Sequence, residues 1–135
     1  MAASAAQPPL LVLYGSQTGT AQVSRPAGAY GGAAWLGARI DGNFVPRSSQ
    51  DVAERVARQG ENRGFAVRVS SMDGHLRELA AMPAEPFVVF VASTTGDGDP
   101  PDNMRAFWSV LRRATLPATT FKGLRAAVLG LGDSR

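Results

Sequence analysis

Three nearly unbroken apolar runs constrain this chain most: residues 10–14 (LLVLY), 87–92 (FVVFVA) and 124–131 (LRAAVLGL). Each runs into a turn of glycine with serine, threonine or aspartate. Continuous runs of this length, rich in Val, Leu and Phe, suit strands covered on both faces, as in a parallel sheet. Residues 65–69 (FAVRV) differ, because Phe65, Val67 and Val69 alternate with Ala66 and Arg68, which marks an edge strand with one more exposed face. Between the runs lie helical patterns. Residues 51–63 place Val52, Ala53, Val56, Ala57 and Gly60 on one stripe and stop at Asn62-Arg63-Gly64. Residues 102–114 place Met104, Phe107, Trp108 and Leu111 at i, i+3, i+4 and i+7, with Asp102 as the expected cap after Pro100-Pro101. A short helix is expected over 75–82, closed by Pro83 and Pro86. Strands alternating with helices imply βαβ units. Right-handed crossovers and an edge strand second in sequence then give an α/β three-layer sandwich with parallel sheet order 2-1-3-4.

At 135 residues the chain supports one core, and 44% apolar with 19% charged residues is ordinary for a globular domain. The net charge of +3 comes without a basic block or interleaved aromatics, so nucleic-acid binding is not expected. With no cysteine, disulfides, thiolate metal sites and a Cys nucleophile are excluded. Residues 1–9, expected to be disordered, lack the basic start and apolar core of a secretory signal, and residues 87–92 are too short to span a bilayer. A cytoplasmic location without membrane attachment is the expectation.

Residues 23–50 do not fit this alternation. They hold five of the fifteen glycines and show neither helical nor strand periodicity. Without these 28 residues Gln22 would meet Asp51, and the glycine-rich turn would run directly into the amphipathic helix. The segment opens with Val-Ser, which GTGAGT can encode, and closes with Gln, which CAG can encode. Those triplets are typical of intron ends, so a retained intron and a lineage-specific loop are the two readings.

The chemistry gathers in the turns. Ser16, Gln17, Thr18, Gly19, Thr20 and Ala21 follow the first strand. Such a turn presents backbone N–H groups at a helix N-terminus, where a phosphate dianion is stabilised without Lys or Arg. It lacks the Gly-Lys-Ser/Thr of a P-loop and is not the dinucleotide turn either. Ser93, Thr94, Thr95, Gly96, Asp97 and Gly98, continuing through Asp99, follow the third strand and let backbone approach a flat ligand. Leu131, Gly132, Asp133 and Ser134 follow the fourth. Each could be a plain solvated turn. Together, on the edge where strand order reverses between strands 1 and 3, they ask for a small, planar, phosphorylated ligand.

These residues resemble a known family. Ser16 to Ala21, Thr94 through Pro100-Pro101-Asp102-Asn103-Met104, and Gly130 to Ser134 look like the three flavin loops of the diflavin reductases, which include cytochrome P450 reductase. The Pro-Pro-Asp-Asn-Met stretch with Phe107-Trp108 is most similar to the NADPH-dependent diflavin oxidoreductase branch, which serves cytosolic iron–sulfur protein assembly. The resemblance implies a flavodoxin-like fold, a fold that itself illustrates the strand-reversal rule. It implies FMN as cofactor, its phosphate on Ser16–Ala21, and its ring between Ser93–Gly98 and Leu131–Ser134. A backbone carbonyl of the second loop would turn toward the flavin N5, which Gly96 or Gly98 makes easy. Asp97, Asp99 and Asp133 would disfavour an anionic reduced ring and attract a basic partner, or are solvated surface acids. Electrons would pass from NADPH through FAD and FMN to a redox partner, an iron–sulfur assembly factor. FAD and NADPH belong to the full-length family, so whether this chain is itself an enzyme stays open.

Departures from the family pattern are expected to matter. Residues 23–50 separate the phosphate turn from its helix, which Ser48 or Ser49 could cap instead. The family continues past the third loop with an aromatic that stacks on the flavin, a helix, a fifth strand and a final helix, whereas Arg135 ends this chain. The fourth strand is then expected to be an uncovered edge. Thr95 stands where P450 reductases carry an aromatic. His75 is expected at the surface, Phe107 and Trp108 in the core, and Tyr14 either in the core or against the flavin. A receiver-like signalling module would need an Asp at the end of the third strand, where Ala92-Ser93-Thr94 stands. A non-catalytic remnant that no longer binds flavin well is the competing reading.

Overall fold

Alternation of apolar runs with amphipathic stretches produces a four-stranded parallel sheet of order β2-β1-β3-β4. The computed structural model describes residues 6–16, 49–94 and 97–131. The strands are β1 (Pro9–Gly15), β2 (Ala66–Ser71), β3 (Val88–Ser93) and β4 (Ala126–Leu131). The helices are α1 (Ser49–Asn62) and α2 (Arg105–Leu111). Two 3₁₀ segments, Asp73–Ala84 and Asp102–Met104, complete the described elements.

At β1 the sheet is covered on both faces, which is why its run is continuous. Leu10, Val12 and Tyr14 enter one core with Ala53, Ala57, Val67, Val69 and Val91. Leu11 and Leu13 point to the opposite core with Met72, Met82, Val88 and Phe107. A strand buried on both faces needs apolar residues at every position. At the edge, β2 alternates instead: Val67, Val69 and Ser71 are buried and the residues between them half-buried. The expected edge strand is therefore in place.

On the first face, Ser49, Ala53, Ala57 and Gly60 form the buried stripe of α1, with Val52 and Val56 packed beside it. Its direction follows from its contacts. Gly60 lies against Leu10 and Val67 near the strand starts, whereas Glu54 lies close enough to raise the pKa of Tyr14 near the end of β1. The helix therefore runs antiparallel to the strands, with its N-terminus at their carboxyl edge. It begins at Ser49, so Ser49 and Gln50 belong to the helix; the Gln50 amide donates to Glu54 at 3.3 Å.

The opposite face departs from the helices expected there. Residues 73–84 form a long 3₁₀ segment that runs through Pro83, rather than a short helix over 75–82. The helix expected over 102–114 is a 3₁₀ turn followed by the seven-residue α2. The N–H groups of Ala106 and Phe107, in the first turn of α2, donate to the carboxylate of Asp73. β4 is exposed along most of its length, with Val128 at 71% and Leu129 at 41%. Its apolar run therefore lies on an uncovered strand, not one packed on both faces.

Candidate functional site

The parallel register brings the ends of three strands together. Gly15 pairs with Ala92 and Ser93 with Leu131, so β1, β3 and β4 leave the sheet side by side on the carboxyl edge. Ser16, Ser93, Thr94 and Leu131, the first described residues of the three candidate loops, share that rim. The Ser93 hydroxyl reaches the Gly15 carbonyl at 3.4 Å. An open cleft of about 410 Å³ lies between the exits of β3 and β4, lined by Ser93, Thr94, Met104, Trp108 and Leu131 among others. Asp97 and Gly98 stand exposed farther out, Gly98 with φ +103°, a conformation that suits glycine. Gln17, Thr18, Gly19, Thr20, Ala21, Thr95, Gly96, Gly132, Asp133 and Ser134 lie outside the described residues, as does nearly all of 23–50.

The exit of β1 is fixed from several sides. The Ser16 backbone N–H donates to Oδ1 of Asn103 at 2.6 Å, and both residues are buried. Met104 presses on Gly15 so closely that a Cβ there would lie 2.8 Å from its Sδ and 2.9 Å from its Cβ. The Met72 N–H donates to the Tyr14 carbonyl at 2.9 Å. One consequence corrects the simplest picture of the turn: the Ser16 N–H is committed to Asn103, so an anion would have to use the hydroxyl and later N–H groups.

Two buried polar atoms remain without partners among the described residues, Ser49 Oγ and Asn103 Nδ2. Asn103 adjoins the start of the first loop, and Ser49 opens α1 at the same carboxyl edge. Buried polar atoms are ordinarily satisfied, so Asn103 Nδ2, beside the start of the first loop, is a donor left available for a ligand oxygen. The surroundings carry hydroxyls and amides, a donor set that suits a phosphate at a helix N-terminus.

Three further positions separate core from site. Tyr14 is buried in the α1-side core, and burial together with Glu54 raises its phenol above the ordinary 10.0. His75 is 5% exposed, contrary to the surface position expected for it. It packs there because the 3₁₀ segment turns one side toward the sheet, and burial lowers its pKa against the opposing pull of nearby Glu78 and Glu85. Phe107 is core as expected, but Trp108, at 39% exposure, lines the cleft. Sequence reasoning missed Asn103 as a contact of the first loop, since a bond spanning 87 positions leaves no local pattern.

Fold and rim together define a doubly wound α/β domain of the kind that binds ligands at the strand-reversal edge. The flavodoxin family model matches residues 48–135, from the start of α1 onward. The chain is similar to proteins named NADPH-dependent diflavin oxidoreductase 1: 42% identical over 125 residues in Danio rerio, covering 93% of this chain and 16% of that protein. For the Bos taurus protein identity is 40% with the same coverage, and for Arabidopsis thaliana it is 38% over 126 residues, covering 93% and 15%. These alignments extend well beyond the residues that match the family model, and the chain spans about a sixth of the curated relatives' length. This chain belongs to the flavodoxin family.

Proposed function

We propose that this chain is an FMN-binding electron-transfer domain. The observation that carries the reading is the shared rim, where β1, β3 and β4 end side by side and the buried Asn103 carboxamide stands beside the first exit. Ser16, Gln17, Thr18, Gly19, Thr20 and Ala21 would hold the phosphate. Ser93, Thr94, Thr95, Gly96, Asp97 and Gly98 would flank one side of the ring, and Leu131, Gly132, Asp133 and Ser134 the other. When bound, FMN supplies the redox chemistry, accepting and releasing one or two electrons. The chain's own task is to bind and orient it. α1 contributes its N-terminal dipole at the carboxyl edge, the Asn103 contact sets the start of the turn, and Trp108 and Met104 provide apolar wall.

In the whole protein, electrons would pass from NADPH through FAD to this domain and on to a redox partner, an iron–sulfur assembly factor in the cytoplasm. The name shared by the relatives supports the NADPH and two-flavin part of that route. No helix among the described residues is long and apolar enough to cross a membrane.

Residues 23–48 are the part of the irregular segment that precedes α1, and we treat them as an interruption of a βα unit. The test is reconstitution: add FMN to this chain and to a version lacking residues 23–48, remove free flavin, and measure bound flavin by visible absorbance. Flavin retained near one per chain, in the shortened version at least, supports the assignment. Colourless protein from both, with the fold intact by circular dichroism, would overturn it in favour of a remnant that no longer binds flavin.

A further inference from the structure

Resting on that reading, we propose that Asn103 is a positioning residue for the ligand's phosphate, acting through Ser16 rather than by touching the flavin. The geometry is specific. Its carboxamide Oδ1 takes the Ser16 N–H at 2.6 Å, where the chain leaves the β1 ladder, whose last pair on this side is Gly15 with Ala92. This bond fixes the Ser16 peptide plane, and with it the Ser16 hydroxyl, where the chain leaves β1.

Asn103 is itself held in place. It sits in the 3₁₀ turn Asp102–Met104 behind buried Pro101, and the Met104 N–H donates to the Pro101 carbonyl at 3.0 Å. Met104 then contacts Gly15, so one turn touches two consecutive residues of the β1 exit. Nδ2 has no partner among the described residues, which leaves the bond to Ser16 as the side chain's one described anchor. A buried carboxamide kept for a single backbone N–H points to geometric control of that N–H, because an apolar side chain of similar size would leave it unsatisfied. The segment after β3 thereby holds Gly15 and Ser16 at the exit of β1, coupling the ring side of the proposed site to the phosphate side.

The effect should fall on the phosphate and spare the ring. FMN and riboflavin carry the same ring and differ in the phosphate, so the ratio of their dissociation constants isolates it. Fluorescence-quenching titrations would compare the parent chain with Asn103→Leu, Asn103→Ala and, as a stability control, Leu79→Ala, a half-buried side chain of the 73–84 segment packed against the core of Leu11, Leu13, Met72, Met82, Val88 and Phe107. Both Asn103 variants are expected to weaken FMN about tenfold or more while riboflavin changes by less than about threefold. Leu79→Ala is expected to lower the unfolding midpoint and leave the ratio unchanged. If Asn103→Leu fails to fold, Asn103→Ala is read in the same way. Equal loss of both flavins, or no loss of FMN, would overturn the positioning role while leaving FMN binding intact. If neither the parent chain nor the version lacking residues 23–48 binds either flavin, the functional reading and this inference fall together; if only the shortened version binds, the same substitutions are made and read in it.

Discussion

Asp73 caps a helix to which it does not belong: its Oδ1 accepts the Phe107 N–H at 2.8 Å and its Oδ2 the Ala106 N–H at 3.3 Å, across 34 and 33 positions respectively. A carboxylate there satisfies orphan donors of α2 and complements its dipole. Asp73→Ala is expected to destabilise the fold by about 1 kcal/mol, read as a lower urea midpoint, with Asp73→Asn retaining most of the stability. An unchanged midpoint for Asp73→Ala would show that water serves those donors equally well.

His75 makes stability depend on pH in a defined direction. Burial lowers its folded pKa below the ordinary 6.5, with Arg68 acting in the same sense and Glu78 and Glu85 opposing. The unfolded chain therefore binds the proton more readily. The stability associated with neutral His75 is fully present above about pH 6.5 and is lost as pH falls through the lower folded value. His75→Gln should flatten the urea midpoint between pH 7 and pH 5 relative to the parent, and an identical slope in both would contradict the burial.

Gly15 is held to glycine by Met104. A Cβ at Gly15 would fall 2.9 Å from the Met104 Cβ, an atom fixed to the backbone, so Gly15→Ala forces a shift at the exit of β1. The expected cost is about 1–3 kcal/mol. Adding Met104→Ala removes the Sδ and Cγ clashes but keeps the Cβ, and should recover part of the loss. Strict additivity in that double-mutant cycle would mean the two residues do not meet in solution.

The exposed face of β4 predicts behaviour at high concentration. Val128 and Leu129 lie on a strand whose outer edge has no partner among the described residues, an invitation to pair with other chains. Size-exclusion chromatography of this polypeptide is expected to show concentration-dependent association, reduced by Val128→Lys with a stability change within about 0.5 kcal/mol. A monodisperse monomer for the parent would contradict this.

Much of the sheet was legible because its rules are local. The unbroken runs at β1 and β3 and the alternation at β2 follow directly from which faces are buried, and the order 2-1-3-4 follows from right-handed crossovers. The elements after β2 and β3 were less legible. A 3₁₀ segment and an α-helix carry similar apolar spacing over one or two turns, and the true cap of α2 lies far away at Asp73. His75 was misplaced for a related reason: one polar residue beside Asp73 and Gly74 gives no sign that its segment packs inward. In the candidate site, the loop positions could be read from small residues after strands. The Ser16–Asn103 contact could not, being a product of tertiary structure.

Whether the ends of β1, β3 and β4 form one flavin-binding rim can be read from backbone amide resonances during an FMN titration. Saturable shifts are expected at Ser16, Thr94 and Leu131 together, with Leu10, Phe87 and Arg125 at the opposite edge unmoved. Shifts confined to that opposite edge, or none at all at saturating FMN, would contradict it.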